Sequence, residues 1–154
     1  TSPSASISGV DPDPDILTRA EIKARDAGVL IHFAQGFAQD TAAIAANIRP
    51  NKIVTSLVLH QIPLAGKRLT ILNAFAGLRS GGELHVADYG LQSSPLMRFA
   101  FRQVQTLDGF GNTQPNAEGV LPELMDEAGF VDVRENAVIP TPTGSISLYA
   151  AKRP

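Results

Sequence analysis

Short apolar runs alternate along this chain with segments whose apolar residues recur every three or four positions. The runs are typical of strands, and the three-to-four spacing is typical of helices that pack on one face. The predicted strands are, in chain order, 5–10, 29–33, 52–57, 83–88, 131–138 and 145–152. One helix is predicted in each gap between the first four strands, and further helices are predicted over 95–107 and from Asn116 to Ala128, after a turn-rich stretch over 108–115.

Capping residues and helix breakers place the ends of these helices. Asp13 can cap the first helix, and Pro14 suits its first turn. The second helix begins at Asp40 or Thr41, continues through Ile48 and stops before Pro50. The core-facing residues predicted from the later helices are Ile71, Leu72, Phe75, Leu78, Met97, Ala100, Phe101, Val104, Val120, Leu121, Leu124 and Ala128.

The order of these elements predicts the fold class. Four strands that alternate with helices indicate a parallel sheet with helices on both faces. The run 52–57 is almost continuously apolar, which is typical of a central strand in such a sheet. The last two strands are separated by Pro140–Gly144, too few residues for a crossover, so they form an antiparallel hairpin. We therefore expect one α/β domain over 1–154 with a Rossmann-like, mostly parallel sheet.

Composition narrows the classes of partner. The 154 residues carry a net charge of −2 without a basic cluster, which argues against nucleic-acid binding. The chain has no cysteine, and His32 and His85 fall in separate strands, so we predict no metal site. No apolar run reaches membrane-spanning length, and residues 1–8 do not resemble a secretory signal. We expect a cytoplasmic protein without a membrane partner.

Asp11 is the first candidate for chemistry. It follows the strand 5–10, and a carboxylate at that edge of a doubly wound sheet can accept hydrogen bonds from ribose hydroxyls. The competing interpretation is a turn residue that supports the start of the next helix.

Six short motifs occur in order and span nearly the whole chain: Gly9–Asp13, Gln35–Ala38, Thr55–His60, Leu78–Leu84, Ala87–Gly90 and Ala128–Phe130. Their order and spacing resemble those of class I S-adenosylmethionine-dependent methyltransferases. Within that family the chain most resembles the small-molecule enzymes similar to those of ubiquinone and menaquinone biosynthesis. The resemblance implies S-adenosylmethionine as cofactor and a small molecule as methyl acceptor.

The resemblance also implies site residues. The cofactor site would consist of Asp11, Pro12, Gly36, Phe37, Ala38, Ser56 and Leu57. Asp11 would hold the ribose, Phe37 and Ala38 would wall the adenine, and Ser56 and Leu57 would contribute backbone around the methionine part.

Three residues beside that site have both a chemical and a purely structural interpretation. His60 follows the strand 52–57 and could act as a base, since an imidazole titrates near neutrality, but packing or capping is the favoured interpretation. Tyr89 and Asp88 could line the substrate pocket, although Tyr89 could equally be an aromatic residue at a strand end.

The chain departs from the family at its start. The family's first strand, which is central in its sheet, and the glycine-rich turn after it would precede Ala5, where only Thr1–Ser4 stand. We therefore expect an N-terminally truncated domain that binds the cofactor weakly or not at all alone. The strands 5–10 and 52–57 could pair directly, or a second copy could lend a strand in a dimer or other homo-oligomer, or an N-terminal segment could be missing.

Three functional hypotheses follow. The first is a methyltransferase, or a part of one that is inactive alone. The second is a catalytically silent, truncated fold that serves as a binding or oligomerising module. The third is a nicotinamide dehydrogenase, which would also suit Asp11 but conflicts with the terminal hairpin.

Overall fold

The computed structural model describes residues 5–154. Residues 1–4, within the segment in which we expected no secretory signal, lie outside that range. The elements of the described chain are β1 (Ile7–Asp11), α1 (Pro14–Asp26), β2 (Ile31–Gln35), α2 (Thr41–Ala45), β3 (Lys52–Ser56), α3 (Leu64–Gly77), β4 (Glu83–Tyr89), α4 (Pro95–Asp108), α5 (Phe110–Ala117), α6 (Val120–Glu127), β5 (Val131–Thr141) and β6 (Gly144–Lys152). Short 3₁₀ turns precede α2 and follow β3.

The predicted start of α1 is confirmed. The Asp13 carboxylate accepts hydrogen bonds from the backbone amides of Asp15 (2.8 Å) and Ile16 (3.4 Å), and Pro14 occupies the first turn. These contacts satisfy amides that have no partner inside the helix. Local sequence therefore accounts for this helix end.

The sheet topology confirms the α/β architecture. β3 pairs with β4 in parallel, and β6 lies antiparallel between β4 and β5 in the order β3-β4-β6-β5. The terminal hairpin is thus as predicted. β1 and β2 form a second parallel pair.

The continuity of the sheet differs from the expectation. β1 does not pair with β3, so direct closure between these two strands does not occur. β3 is an edge strand with a neighbour on one side, and Val54 is 70% exposed. The prediction that this run is a buried central strand is therefore wrong for the described chain, because burial requires a strand on each side.

The core lies between α3, α6 and the β4–β6 pair. Leu84 and Val86 from β4 pack there against Ile71 from α3 and Leu124 from α6. Leu72, which we expected in this core, is exposed. It lies about 100° around the helix from Ile71, beyond the face that contacts the sheet.

Two other boundaries differ from the prediction. β2 begins at Ile31, because Leu30 lies in the preceding exposed link. α2 ends at Ala45 rather than near Ile48, because Ile48 donates to the Ala45 carbonyl three residues back, which tightens the chain into a turn.

The stretch 108–115, predicted as turns, is helical instead. α5 runs through Phe110–Ala117 with Pro115 inside it, and Asn116 lies within this helix rather than capping the next one. Gly119, in the left-handed conformation with φ 84°, precedes α6. Tertiary partners stabilise α5, since the Asn116 amide donates to the Tyr89 carbonyl (2.8 Å).

Candidate functional site

A large cleft separates β1 from β3. Its volume is about 1190 Å³, and both strands line it along their whole length. Helices α2 and α3 and the turn after α2 provide an apolar wall that includes Ile44, Ile48, Ile71 and Ala74. The cleft is therefore a gap between two strand edges, backed by apolar helices.

Most of the predicted cofactor residues line this cleft. Its lining includes five of them: Asp11, Pro12, Gly36, Ala38 and Ser56. They come from the carboxyl ends of β1, β2 and β3, the edge at which open α/β sheets bind ligands. Phe37, 59% exposed, and Leu57, also exposed, stand outside the lining.

Asp11 takes part in a turn through one of its two carboxylate oxygens. Its Oδ1 accepts a hydrogen bond from the Asp13 amide at 2.9 Å, the local role that we weighed against ribose binding. Within residues 5–154 its Oδ2 has no recorded hydrogen-bond partner. The two interpretations of Asp11 are therefore compatible, because one oxygen shapes the turn and the other can accept from a ligand.

The loop after β2 is held against α2. Asp40 Oδ2 accepts a hydrogen bond from the Phe37 amide at 2.9 Å, which fixes the loop entering the 3₁₀ turn. A Cβ on Gly36 would lie 2.8 Å from Ile44 Cδ1, so glycine permits the close approach. This packing places the backbone of Gly36 and Ala38 on the cleft.

A buried polar network lies next to the cleft, beneath the turn that follows β3. Asp88 is fully buried, and its carboxylate accepts hydrogen bonds from the amides of Leu59 (2.7 Å) and Tyr89 (2.8 Å) and contacts His60 Nδ1 at 2.7 Å. On the other side of the ring, His60 Nε2 lies 3.4 Å from Asp108 Oδ2. Both imidazole nitrogens are thus engaged, and His60 is only 4% exposed.

Lys67, which lies in α3, holds the same turn in place through hydrogen bonds. Its ammonium donates to the carbonyls of Leu59, Ile62 (2.7 Å) and Asn112 (2.7 Å). Burial lowers the pKa of Lys67 to about 8, while the negative charge of Asp88 acts in the opposite direction. Three carbonyls match the three donors of an ammonium group, so the charged form fits this position.

Tyr89 packs against this network, of which Asp88 is a member. The Tyr89 hydroxyl lies 2.8 Å from Thr143 Oγ1, and its ring packs against His60 and Phe101 with centroid separations of 4.9 Å. Neither Tyr89 nor Asp88 is part of the cleft lining. The two predicted substrate residues therefore lie outside the cleft that five of the predicted cofactor residues line.

Sequence reasoning missed Lys67 and Asp108. Lys67 lies on the buried face of α3 together with Ile71 and Ala74, and a lysine at helical spacing with core residues was an available signal. Asp108 fell in the stretch predicted as turns, so no local pattern connected it to His60.

Neither a metal site nor a membrane span is seen in the part of the chain that the structure describes. Among residues 5–154, no three histidine or acidic side chains are grouped so that they could hold a metal ion. In the same range, no helix is both long and apolar enough to cross a membrane.

Comparison with known proteins yields structural matches only. No protein-family model matches the sequence, and no curated protein matches it. The solved structure of PigF with SAH superposes with a TM-score of 0.68 at 15% identity, over 100% of this chain and 45% of PigF. An O-methyltransferase family protein from Burkholderia thailandensis gives 0.69 at 17% identity, over 98% and 44% of the two chains. The chain has the fold of S-adenosylmethionine-dependent methyltransferases.

A third match has the same fold at lower identity. Magnesium protoporphyrin IX methyltransferase from Synechocystis PCC 6803, with SAH bound, gives a TM-score of 0.69 at 12% identity, over 97% of this chain and 65% of that one. The chain thus spans less than half of the first two relatives and about two thirds of the third.

Proposed function

We propose that this chain binds S-adenosylmethionine at the carboxyl edge of the cleft and takes part in methyl transfer to a small-molecule acceptor. The observation that carries the proposal is that one cleft is lined by residues from the carboxyl ends of three strands, namely Asp11, Gly36, Ala38 and Ser56. Two proteins with this fold, PigF and the Synechocystis enzyme, were solved with SAH, the demethylated form of the cofactor.

The residues at this edge suit the cofactor in part. Asp11 Oδ2 is available to accept hydrogen bonds from the ribose hydroxyls. Gly36 and Ala38 have small side chains or none, so a flat base can lie against their backbone. Phe37 stands at the rim and could cover the base from outside. Ser56 contributes backbone on the opposite side of the cleft. Groups from outside these residues would have to complete the site, so we expect weak binding by this chain alone.

The bound cofactor would supply a methyl group activated by a positively charged sulfur. The protein's task would then be chiefly to align this group with the acceptor and to exclude water. His60 is poorly placed to remove a proton from an acceptor, because both ring nitrogens are engaged and the ring is buried. We therefore assign His60 a positioning role, in which it ties the turn after β3 to Asp88. We also propose that the acceptor resembles those of the ubiquinone- and menaquinone-type enzymes.

Titration calorimetry with S-adenosylmethionine and SAH tests the cofactor site. Asp11→Asn keeps an oxygen for the Asp13 amide but removes the charge that would hold the ribose. We expect weak saturable binding to the unaltered chain, and at least tenfold weaker binding to Asp11→Asn because a carboxylate accepts hydroxyl donors more strongly than an amide.

Asp15→Asn is the matched control, since Asp15 is an exposed carboxylate in the first turn of α1, outside the cleft lining. It should bind like the unaltered chain. Equal binding by all three proteins would remove Asp11 from the site, and no binding by a folded, unaltered chain would count against the proposal.

A further inference from the structure

The turn that follows β3 contains a strained backbone. Leu57 has a φ of 56°, in the left-handed region, where a side chain clashes with the following carbonyl oxygen. Among the non-glycine residues of the described chain, only Arg49 and Asp132 share this feature. Such a conformation persists only where surrounding contacts impose it, and it is concentrated at functional sites. The contacts that hold Leu57 therefore indicate the role of the turn.

The left-handed residue turns the chain along the wall of the cleft. The neighbours of Leu57, namely Ser56, Val58 and Leu59, line the cleft. Leu57 itself is 42% exposed and stands outside the lining. Its amide donates to the Ala87 carbonyl at 2.9 Å, so the pairing with β4 continues up to the turn. A change of φ at Leu57 would therefore move the backbone of Val58 and Leu59 relative to β3.

The backbone of Leu59 is fixed through both its amide and its carbonyl. The amide donates to the Asp88 carboxylate (2.7 Å), and the carbonyl accepts from the Lys67 ammonium. The same ammonium donates to the carbonyls of Ile62 and Asn112, both at 2.7 Å. Lys67 thus binds the turn after β3 at two points and connects it to α5 at a third.

The burial of Lys67 requires an explanation beyond packing. Lys67 is fully buried on the core face of α3, beside Ile71 and Ala74, where an apolar side chain would pack without a charge to bury. Burying an ammonium group is unfavourable, and the same burial lowers the pKa of Lys67 to about 8. Its donors are used by carbonyls of the turn and of α5. Holding these two segments together is therefore what the buried charge provides.

We propose that Lys67 is a positioning residue of the cofactor site, which holds the left-handed turn at Leu57 so that residues 56–59 present their backbone to the cleft in one fixed arrangement. This role rests on the proposed function, in which the turn surrounds the methionine part of S-adenosylmethionine. A ligand that meets a preformed turn does not have to order it on binding, which strengthens the affinity. Without Lys67, Leu57 can relax to a negative φ, and the ligand must restore the strained conformation.

NMR and calorimetry test the two halves of the proposal separately. The nuclear Overhauser effect between the amide and Hα protons of Leu57 is strongest at positive φ, and measuring it needs no cofactor. We expect a strong signal in the unaltered chain and a loss of about half of it in Lys67→Met, which has a side chain of similar length without donors. Titration with SAH should show an affinity about tenfold lower for Lys67→Met than for the unaltered chain.

Substitutions at position 57 distinguish positioning from general destabilisation. Glycine adopts a positive φ freely, whereas alanine retains the clash. Adding Leu57→Gly to Lys67→Met should therefore raise the SAH affinity about threefold, and adding Leu57→Ala should not raise it. Both double variants lack the Leu57 side chain beyond Cβ, so they differ chiefly in the backbone conformations that they allow.

Three results would overturn the proposal. They are an unchanged Leu57 signal in a folded Lys67→Met chain, a lost signal with unchanged SAH affinity, and equal affinities of the two double variants. Absence of SAH binding by the folded, unaltered chain, together with the expected loss of the Leu57 signal, would refute the proposed function and with it the positioning role, while the hold of Lys67 on the turn would stand. If Lys67→Met does not fold, Lys67→Gln replaces it; the glutamine amide keeps two donors, so we expect an affinity about threefold lower.

Discussion

The two sides of the cleft illustrate how neighbouring strands decide burial. On β4, which has a strand on each side, Leu84 is 2% exposed and packs in the core. On β3, which has one neighbour, Val54 is 70% exposed although it lies in a run that we predicted to be a central strand. The contrast shows that an apolar run reports the potential for burial, and that the neighbours of the strand determine whether burial occurs.

The polar residues show the same contrast. Asp88 is fully buried, and its carboxylate accepts hydrogen bonds from two backbone amides in addition to its contact with His60. Asp11, which lines the cleft, is half-buried and accepts one hydrogen bond from a backbone amide. The closed side of the domain, around Asp88, is therefore held by buried hydrogen bonds. The open side, around Asp11, presents groups to the cleft that remain available to ligands.

The largest expected difference comes from removing each of these carboxylates. Asp88→Ala should lower the free energy of unfolding by about 3–5 kcal/mol, because buried donors and the nearby Lys67 charge lose their partner. Asp11→Ala loses one turn contact and should cost less than about 1 kcal/mol. Urea denaturation followed by circular dichroism measures both. Similar losses would contradict the division into a closed and an open side.

Truncation of apolar residues on adjacent strands gives the next largest effect. Leu84→Ala creates a cavity in the core and should cost about 3 kcal/mol, whereas Val54→Ala should stay within about 0.5 kcal/mol. The same denaturation experiment measures both variants. If Val54→Ala were as damaging as Leu84→Ala in the chain alone, the cleft would be closed in solution.

The smallest expected effect is the pH dependence due to Lys67. Its pKa is about 8 in the folded chain against 10.5 for an ordinary lysine, so between these values the unfolded chain holds more protons. The free energy of unfolding should therefore rise as pH increases from 8 to 10, by about 2 kcal/mol from this group.

Lys67→Met is the matched variant for this measurement, because it removes the titrating group and keeps a chain of similar length. Its stability should be flat over the same range. The window ends near pH 10 because burial raises the pKa of Tyr149 to about 12, and that shift lowers stability above pH 10. A similar rise in both proteins would show that Lys67 is not its source.

Sequence patterns located most elements because their signals are local. The Asp13 cap, the helix α1 and the β5–β6 hairpin all depend on residues close together in the chain. The helix α5 was missed because Asn112 and Asn116 find partners 51 and 27 residues away, at Gln61 and Tyr89. The same holds for the candidate site, in which Asp11 was visible as a strand-end carboxylate but the contact between His60 and Asp108 was not.

By itself, the sequence determined the alternation of strands and helices, the antiparallel ending and the set of residues at the strand ends, since these depend on spacing and on local capping. Only the tertiary structure decided that β1 and β3 stand apart with a cleft between them, that Val54 is exposed, and that Lys67 and Asp88 are buried around His60. The physical reason is that strand pairing and desolvation depend on which segments meet in space, and one segment's pattern specifies its own faces but not its neighbours.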